Sequence, residues 1–203
     1  MSTQTASQSD TSIIFGENGW PQQGQWTYED YLHLPDDGRR YEIIEGVLYM
    51  ANAPSYDHQF TVVEIIFHLK LFVREHSLGQ IYTAPIEVHL AEATRPVQPD
   101  VMFIHHSHLP KLGTQIFEGA PDLIVEVISP SSIRLDRNVK FDAYERYGVA
   151  EYWLIDPKAR LVEVYTWQSG EYALWGQYTG DDVVTSKLLE GLEIKVSLLF
   201  QPQ

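Results

Sequence analysis

The sequence predicts one α/β domain, a mixed β-sheet flanked by helices. Short β-prone runs and two amphipathic stretches follow one another as helix, hairpin, long helix, strands, helix, strands. The apolar runs at 101–104 and 123–128 show no clean alternation, as expected of strands covered on both faces. A chain of 203 residues is also long enough to bury one core without disulfides or a structural metal.

The elements follow in order. Residues 1–24 are polar and rich in Ser, Thr, Gln and Gly; they read as a flexible N-terminal arm, with the folded domain over 25–203. Thr27 is placed to cap a short helix whose Glu29 and Asp30 suit the positive end of its dipole. Pro35 ends it and Asp36-Asp37-Gly38 turns the chain. YEIIEGVLYM is a hairpin hinged at Glu45-Gly46. After Pro54, residues 56–76 carry Val62, Val63, Ile65, Ile66, Leu69, Phe72 and Val73 at helical spacing, and Gly79 follows the end. Residues 80–90 read as one strand. Residues 136–147 form a second helix, and EYWLID, LVEVYTW and EYALWGQY are successive strands with turns at Asp156-Pro157 and Ser169-Gly170. The tail LEGLEIKVSLLF is apolar enough to pack back onto the body.

Composition excludes several chemistries. Without cysteine there is no disulfide scaffold, thiolate zinc site, thiolate-held iron–sulfur cluster or thiol nucleophile. No uninterrupted apolar run approaches membrane-spanning length, and MSTQTASQSD is no signal sequence, so a cytoplasmic protein with no membrane partner is expected. The 28 acidic residues outnumber 14 basic ones, a formal charge of −14. Such a surface repels phosphate backbones at a distance, though a local basic groove is compatible with it.

Three residues stand out for chemistry. Asp100 precedes an apolar strand, and Glu126 is a lone carboxylate within LIVEVI. A buried carboxylate needs a partner or a metal; otherwise Glu126 is an outward-facing strand residue. At about 100° per residue, Lys140 falls among Ala143, Tyr144 and Tyr147, with Asp136 beside it and Asn138, Asp142 and Glu145 on the outer arc. The helix therefore points Asp136 and Lys140 inward, either as an i,i+4 ion pair or toward a site. Two carboxylates with a lysine suffice for phosphodiester hydrolysis if they converge: the acids hold Mg²⁺ or Mn²⁺, and the lysine orients or deprotonates water or stabilises phosphoryl charge.

YEIIEG at 41–46, Pro54-Ser55 with His58, QPD at 98–100, PDLIVEVISPSS at 121–132, Asp136-Arg137 with Lys140, and GVAEYWLIDP at 148–157 form an ordered set. In that order they resemble the Uma2 family of the PD-(D/E)XK nuclease superfamily, over roughly residues 25–200. The resemblance implies a restriction-endonuclease-like fold and a metal-dependent DNA endonuclease, with Asp100 and Glu126 as Mg²⁺ or Mn²⁺ ligands. The superfamily's lysine ordinarily lies two residues after the second acid, where this chain has Ile128; likeness to Uma2 implies that Lys140 replaces it. Glu42 and His58 correspond to supporting polar positions, with Glu45 competing with Glu42, and Val47 stands where an acid is common.

Other signals are weaker. His105, His106 and His108 read as loop histidines, and Ser129, Ser131 and Ser132 as residues leading into the helix. Trp153, Trp167 and Trp175 are core or interface candidates. Arg134, Arg137, Lys140 and Arg146, interrupted by Asp136, Asp142 and Glu145, suggest a phosphate track beside the site or else a solvated helix. The apolar tail and late aromatic strands offer surface for a homodimer. Two alternatives to the DNA endonuclease stand: a non-catalytic binding or assembly protein, favoured by the acidic charge, and a metal-dependent hydrolase of a small phosphorylated substrate.

Overall fold

The computed structural model describes residues 19–51, 53–109 and 115–202. Of the expected arm, residues 1–18 lie outside the described residues; Trp20 stacks on Trp26 at 5.5 Å. The first helix, α1 (Tyr28–Leu32), opens on the anticipated Thr27 cap, and Asp30 reciprocates as a capping box. β1 (Arg40–Ile44) and β2 (Val47–Ala51) form the hairpin. Glu45 and Gly46 both take positive φ there, 51° and 71°, the twist a two-residue hairpin turn requires. A Cβ on Gly46 would lie 2.6 Å from the Gly24 carbonyl oxygen, so the hairpin tip accepts no side chain at this position.

α2 (Tyr56–Glu75) is the long helix. The single strand expected over 80–90 is instead two, β3 (Gly79–Thr83) and β4 (Glu87–His89). A turn between Thr83 and Ile86 separates them around Pro85, whose missing N–H suits a break better than a ladder. β5 (Val101–His105), β6 (Ile116–Glu118) and β7 (Leu123–Val127) follow, then a π-helical turn over Leu135–Lys140 that runs into α3 (Phe141–Arg146). β8 (Glu151–Asp156), β9 (Leu161–Gln168) and β10 (Glu171–Thr179) come next, with the short pair β11 (Val183–Thr185) and β12 (Glu193–Lys195).

Six strands form the central sheet in the order β10-β9-β8-β7-β5-β3. Only β7 and β8 run parallel; the helix containing α3 is their crossover, so the sheet is mixed, as predicted. Strand period two sorts the core into layers. Val101, Phe103, Val125, Val127, Trp153 and Ile155 face α2 and the C-terminal tail. Met102, Ile104, Ile124, Tyr152 and Leu154 face α3, with Ile44 of the hairpin. Glu126 has the parity of Ile124, which aims it at α3 rather than at solvent. Leu192, Ile194, Val196, Leu199 and Phe200 are buried, so the tail packs onto the body; Leu198 stays exposed. Trp153 is core; Trp167 and Trp175 are exposed.

Candidate active site

Sheet register brings the first two acids together. Val101 pairs with Val125 across the antiparallel β5–β7 ladder, and one further step sets Asp100 opposite Glu126. The Val127 N–H donates to Asp100 Oδ2 at 3.0 Å. From the start of α2, His58 Nε2 lies 3.1 Å from the same oxygen, and Arg40 Nη2 lies 3.4 Å from Oδ1. Since a carboxylate only accepts, Nε2 carries the proton; His58 Nδ1 is buried without a partner.

The π-helical turn supplies the remaining charges. It turns both Asp136 and Lys140 inward, and the Tyr152 hydroxyl donates to the Asp136 carbonyl at 3.0 Å. Such widened turns are frequent at functional sites. Lys140, 3% exposed, places Nζ 2.9 Å from Glu126 Oε1, 3.1 Å from Glu42 Oε1 and 3.9 Å from Asp136 Oδ1. The Tyr144 hydroxyl, one turn on, donates to the same Glu126 oxygen at 2.8 Å. Glu42 Oε1 also accepts the Gln98 N–H at 2.6 Å. Glu126 is 2% exposed, which removes its outward-facing alternative.

Four carboxylates thus surround one ammonium, with Arg40 at the margin. Burial, reinforced by Asp100, Asp136 and Glu42, pushes the Glu126 carboxyl up to about 8 against the pull of Lys140. Burial likewise pushes Asp136 up to about 6, opposed by Lys140 and Ser132. Asp100 goes the other way: burial alone would raise it, but His58, Lys140 and Arg40 hold it below the ordinary carboxyl range. Burial works against the charged form of Lys140, yet Glu126, Glu42 and Asp136 outweigh it and hold the ammonium more firmly than usual.

These groups line a chamber of about 50 Å³, joined by Ser129, Ser131 and Ser132. Ser129 and Ser132 hydrogen-bond to each other at 3.0 Å. Among the described residues, no three His, Asp or Glu side chains are gathered to hold a cation directly. The donor chemistry nonetheless suits a hard divalent cation: the acids outnumber the fixed cations, and Asp136 Oδ2 is buried without a hydrogen-bond partner.

Family comparison agrees with the fold. The Uma2 family, described as "Putative restriction endonuclease", matches residues 28–197. The chain belongs to the Uma2 family. An uncharacterised protein of Synechocystis sp. is 28% identical over 141 residues, covering 68% of this chain and 79% of that protein. A crystal structure described as a putative nuclease belonging to DUF820, from Anabaena variabilis, superposes with a TM-score of 0.72 at 22% identity, covering 86% of this chain and 97% of that one. That likeness shows that this Uma2 chain shares the fold of the Anabaena variabilis protein.

All five residues singled out in the sequence, Asp100, Glu126, Lys140, Glu42 and His58, line the chamber. Glu45 does not: it binds Thr94, Tyr147 and Arg146 at the hairpin tip. The expected basic track is corrected, because Lys140 is buried, Arg137 pairs with Glu163 and Arg146 with Glu45. His106 and His108 lie in the turn after β5, where His108 binds Asp122; His105, expected in the loop, is instead the last residue of β5, pairing with Gly79 of β3. Sequence reasoning missed Arg40 and Tyr144. Arg40 shares its strand face with Glu42 by period two, and Tyr144 lies four residues after Lys140; both spacings were available signals.

Proposed function

We propose that this Uma2 chain is a cytoplasmic, metal-dependent endonuclease that hydrolyses DNA phosphodiester bonds. The observation that carries this is the convergence of Asp100 and Glu126 from adjacent strands with the Lys140 ammonium 2.9 Å from Glu126. Asp100 and Glu126 would hold Mg²⁺ or Mn²⁺, which when bound lowers the pKa of water and polarises a phosphoryl oxygen. Lys140, held in its charged form, neutralises charge developing on the phosphate and orients water rather than removing its proton. His58 and the Val127 N–H fix the Asp100 carboxylate; the Gln98 N–H fixes Glu42. These contacts preset the acids, so little reorganisation accompanies the reaction. Exposed Leu174 and Trp175 on the edge strand β10 support pairing of two copies.

The test is cleavage of single- and double-stranded DNA and RNA in Mg²⁺ or Mn²⁺ at low salt. Wild type is compared with Glu126→Gln and Lys140→Ala, their folding checked by circular dichroism. Metal-dependent DNA cleavage that falls to background in both folded variants is the expected result. Cleavage that persists in both variants overturns the assignment. Hydrolysis of a small phosphate ester alone, with no polynucleotide cut, transfers the site to a small-substrate hydrolase.

A further inference from the structure

A second cavity adjoins the chamber. It is a groove of about 490 Å³ that shares Arg40, Ala51, Pro54, His58 and Asp100 with the chamber. Its remaining walls are chiefly apolar: Ala53, Val62, Val63, Ile66, Ala84 and Pro85. Farther along α2, Phe67, Lys70, Leu71 and Arg74 line another depression of about 230 Å³. Phe67 is 58% exposed and meets the His68 ring edge-on at 5.3 Å.

These features share one stripe. At about 100° per residue, Val63, Lys70 and Arg74 fall within about 60° of Phe67 on one side, and Gln59 about 80° round. The helix's acids, Asp57, Glu64 and Glu75, fall about 60–80° away on the other side. Asp57 instead lines a separate depression with Lys158 and Arg160, and Glu75 one with His68 and Phe72. In a strongly acidic chain, this stripe therefore combines two cations, an exposed aromatic ring and an apolar groove leading to Arg40 and the acids. From Gln59 to Arg74 it runs about 22 Å.

The geometry points to a strand track: α2 binds DNA that is unpaired at the reacting position, one base seated in the apolar groove, another on Phe67, with Lys70 and Arg74 at the phosphates. This rests on the nuclease reading and names its substrate form. Asp100 lines both the groove and the chamber that holds Glu126, so a strand laid along the groove passes beside the acids. Charge agrees: a duplex carries one negative charge per about 1.7 Å and depends on many cations. A single strand carries one charge per about 3.4 Å and adds base stacking on an aromatic ring to its phosphate contacts. That suits two cations and one exposed ring in a chain of net charge −14.

The test reads binding apart from cleavage. Fluorescence anisotropy of a labelled 12-nucleotide single strand and its duplex is measured with the full chain in chelator, where metal-dependent cutting is suppressed. Phe67→Ala and Lys70→Glu/Arg74→Glu are exposed substitutions, checked for unchanged melting. The single strand is expected to bind at least tenfold tighter than the duplex, and Phe67→Ala to weaken it roughly 5- to 100-fold. Equal or tighter duplex binding, or unchanged affinity in both variants, overturns the track. So does sedimentation showing that Phe67→Ala merely dissociates a dimer while strand affinity stays the same. A protein that binds single strands through α2 but never cuts keeps the track and loses the nuclease assignment; one that cuts duplex DNA independently of α2 does the reverse.

Discussion

Glu126 and Glu151 lie on the neighbouring strands β7 and β8, both almost wholly buried, and their surroundings are opposite in kind. Glu151 receives four donors, two on each oxygen: Trp153 Nε1 at 2.7 Å and Ser186 Oγ at 2.6 Å, and the Lys187 and Leu188 N–H groups at 2.9 Å. It ties the segment after β11 to the start of β8, and its charge is met by fixed neutral dipoles. Glu126 receives two donors on one oxygen and has three other acids for neighbours. A carboxylate saturated by donors stabilises a fold; one left short of them, beside other acids, holds its proton and keeps the negative charge in reserve until a cation or a reacting group is present.

The largest expected effect tests that reserve. Lys140→Met strands the surrounding acids, and breaking such a buried pair costs about 3–5 kcal/mol, read from urea unfolding. Adding Glu126→Gln should recover part of the loss, a non-additivity that a double-mutant cycle measures. Full additivity would mean that the two groups are not coupled. Glu151→Ala comes next. It leaves buried N–H and O–H donors without an acceptor, at about 3 kcal/mol, which lowers the melting temperature by about 6–12 °C in a chain of this size.

Glu126→Gln alone should change stability by less than about 1 kcal/mol, because it keeps the shape and a hydrogen-bonding group of a carboxyl whose neutral form burial already favours. Equal destabilisation by Glu126→Gln and Glu151→Gln would erase the contrast between them. The smallest effect concerns Glu87, which accepts from Tyr28 at 2.8 Å and Tyr31 at 3.1 Å and lies 3.3 Å from His89. Burial pushes its carboxyl up, but His89 and the two tyrosines outweigh that and hold it below the ordinary value. A depressed folded-state pKa contributes stability that is complete above the unfolded value of about 4.3 and lost as pH falls through the folded one. Denaturant midpoints should therefore drop more steeply below about pH 4 in wild type than in Glu87→Gln.

Much of the site was legible because its signals are local. The inward arc of Asp136 and Lys140 follows from helical spacing, and the π-helical turn preserves it. The polar interruption of LIVEVI marked Glu126, but strand period alone left it inward or outward. The break at Pro85 was missed because a weakly alternating run carries no register information. β6, β11 and β12 went unread because three-residue strands fall below any periodic signal. The track over 134–146 failed for another reason: Glu163 and Glu45, which claim two of its arginines, are distant in sequence.

By itself, the sequence determined the order of the longer elements, the covered strands, the Uma2 membership and the candidate acids, because each rests on residue type and near-neighbour spacing. Only the tertiary structure decided which charges meet. Asp100 faces Glu126 through the register of β5 on β7, while Glu42 reaches Lys140 through docking of the hairpin, contacts between segments 26 and 98 residues apart. The α2 stripe became visible the same way. Helical periodicity names its residues, but only packing shows which of them the sheet covers and which remain open to a strand.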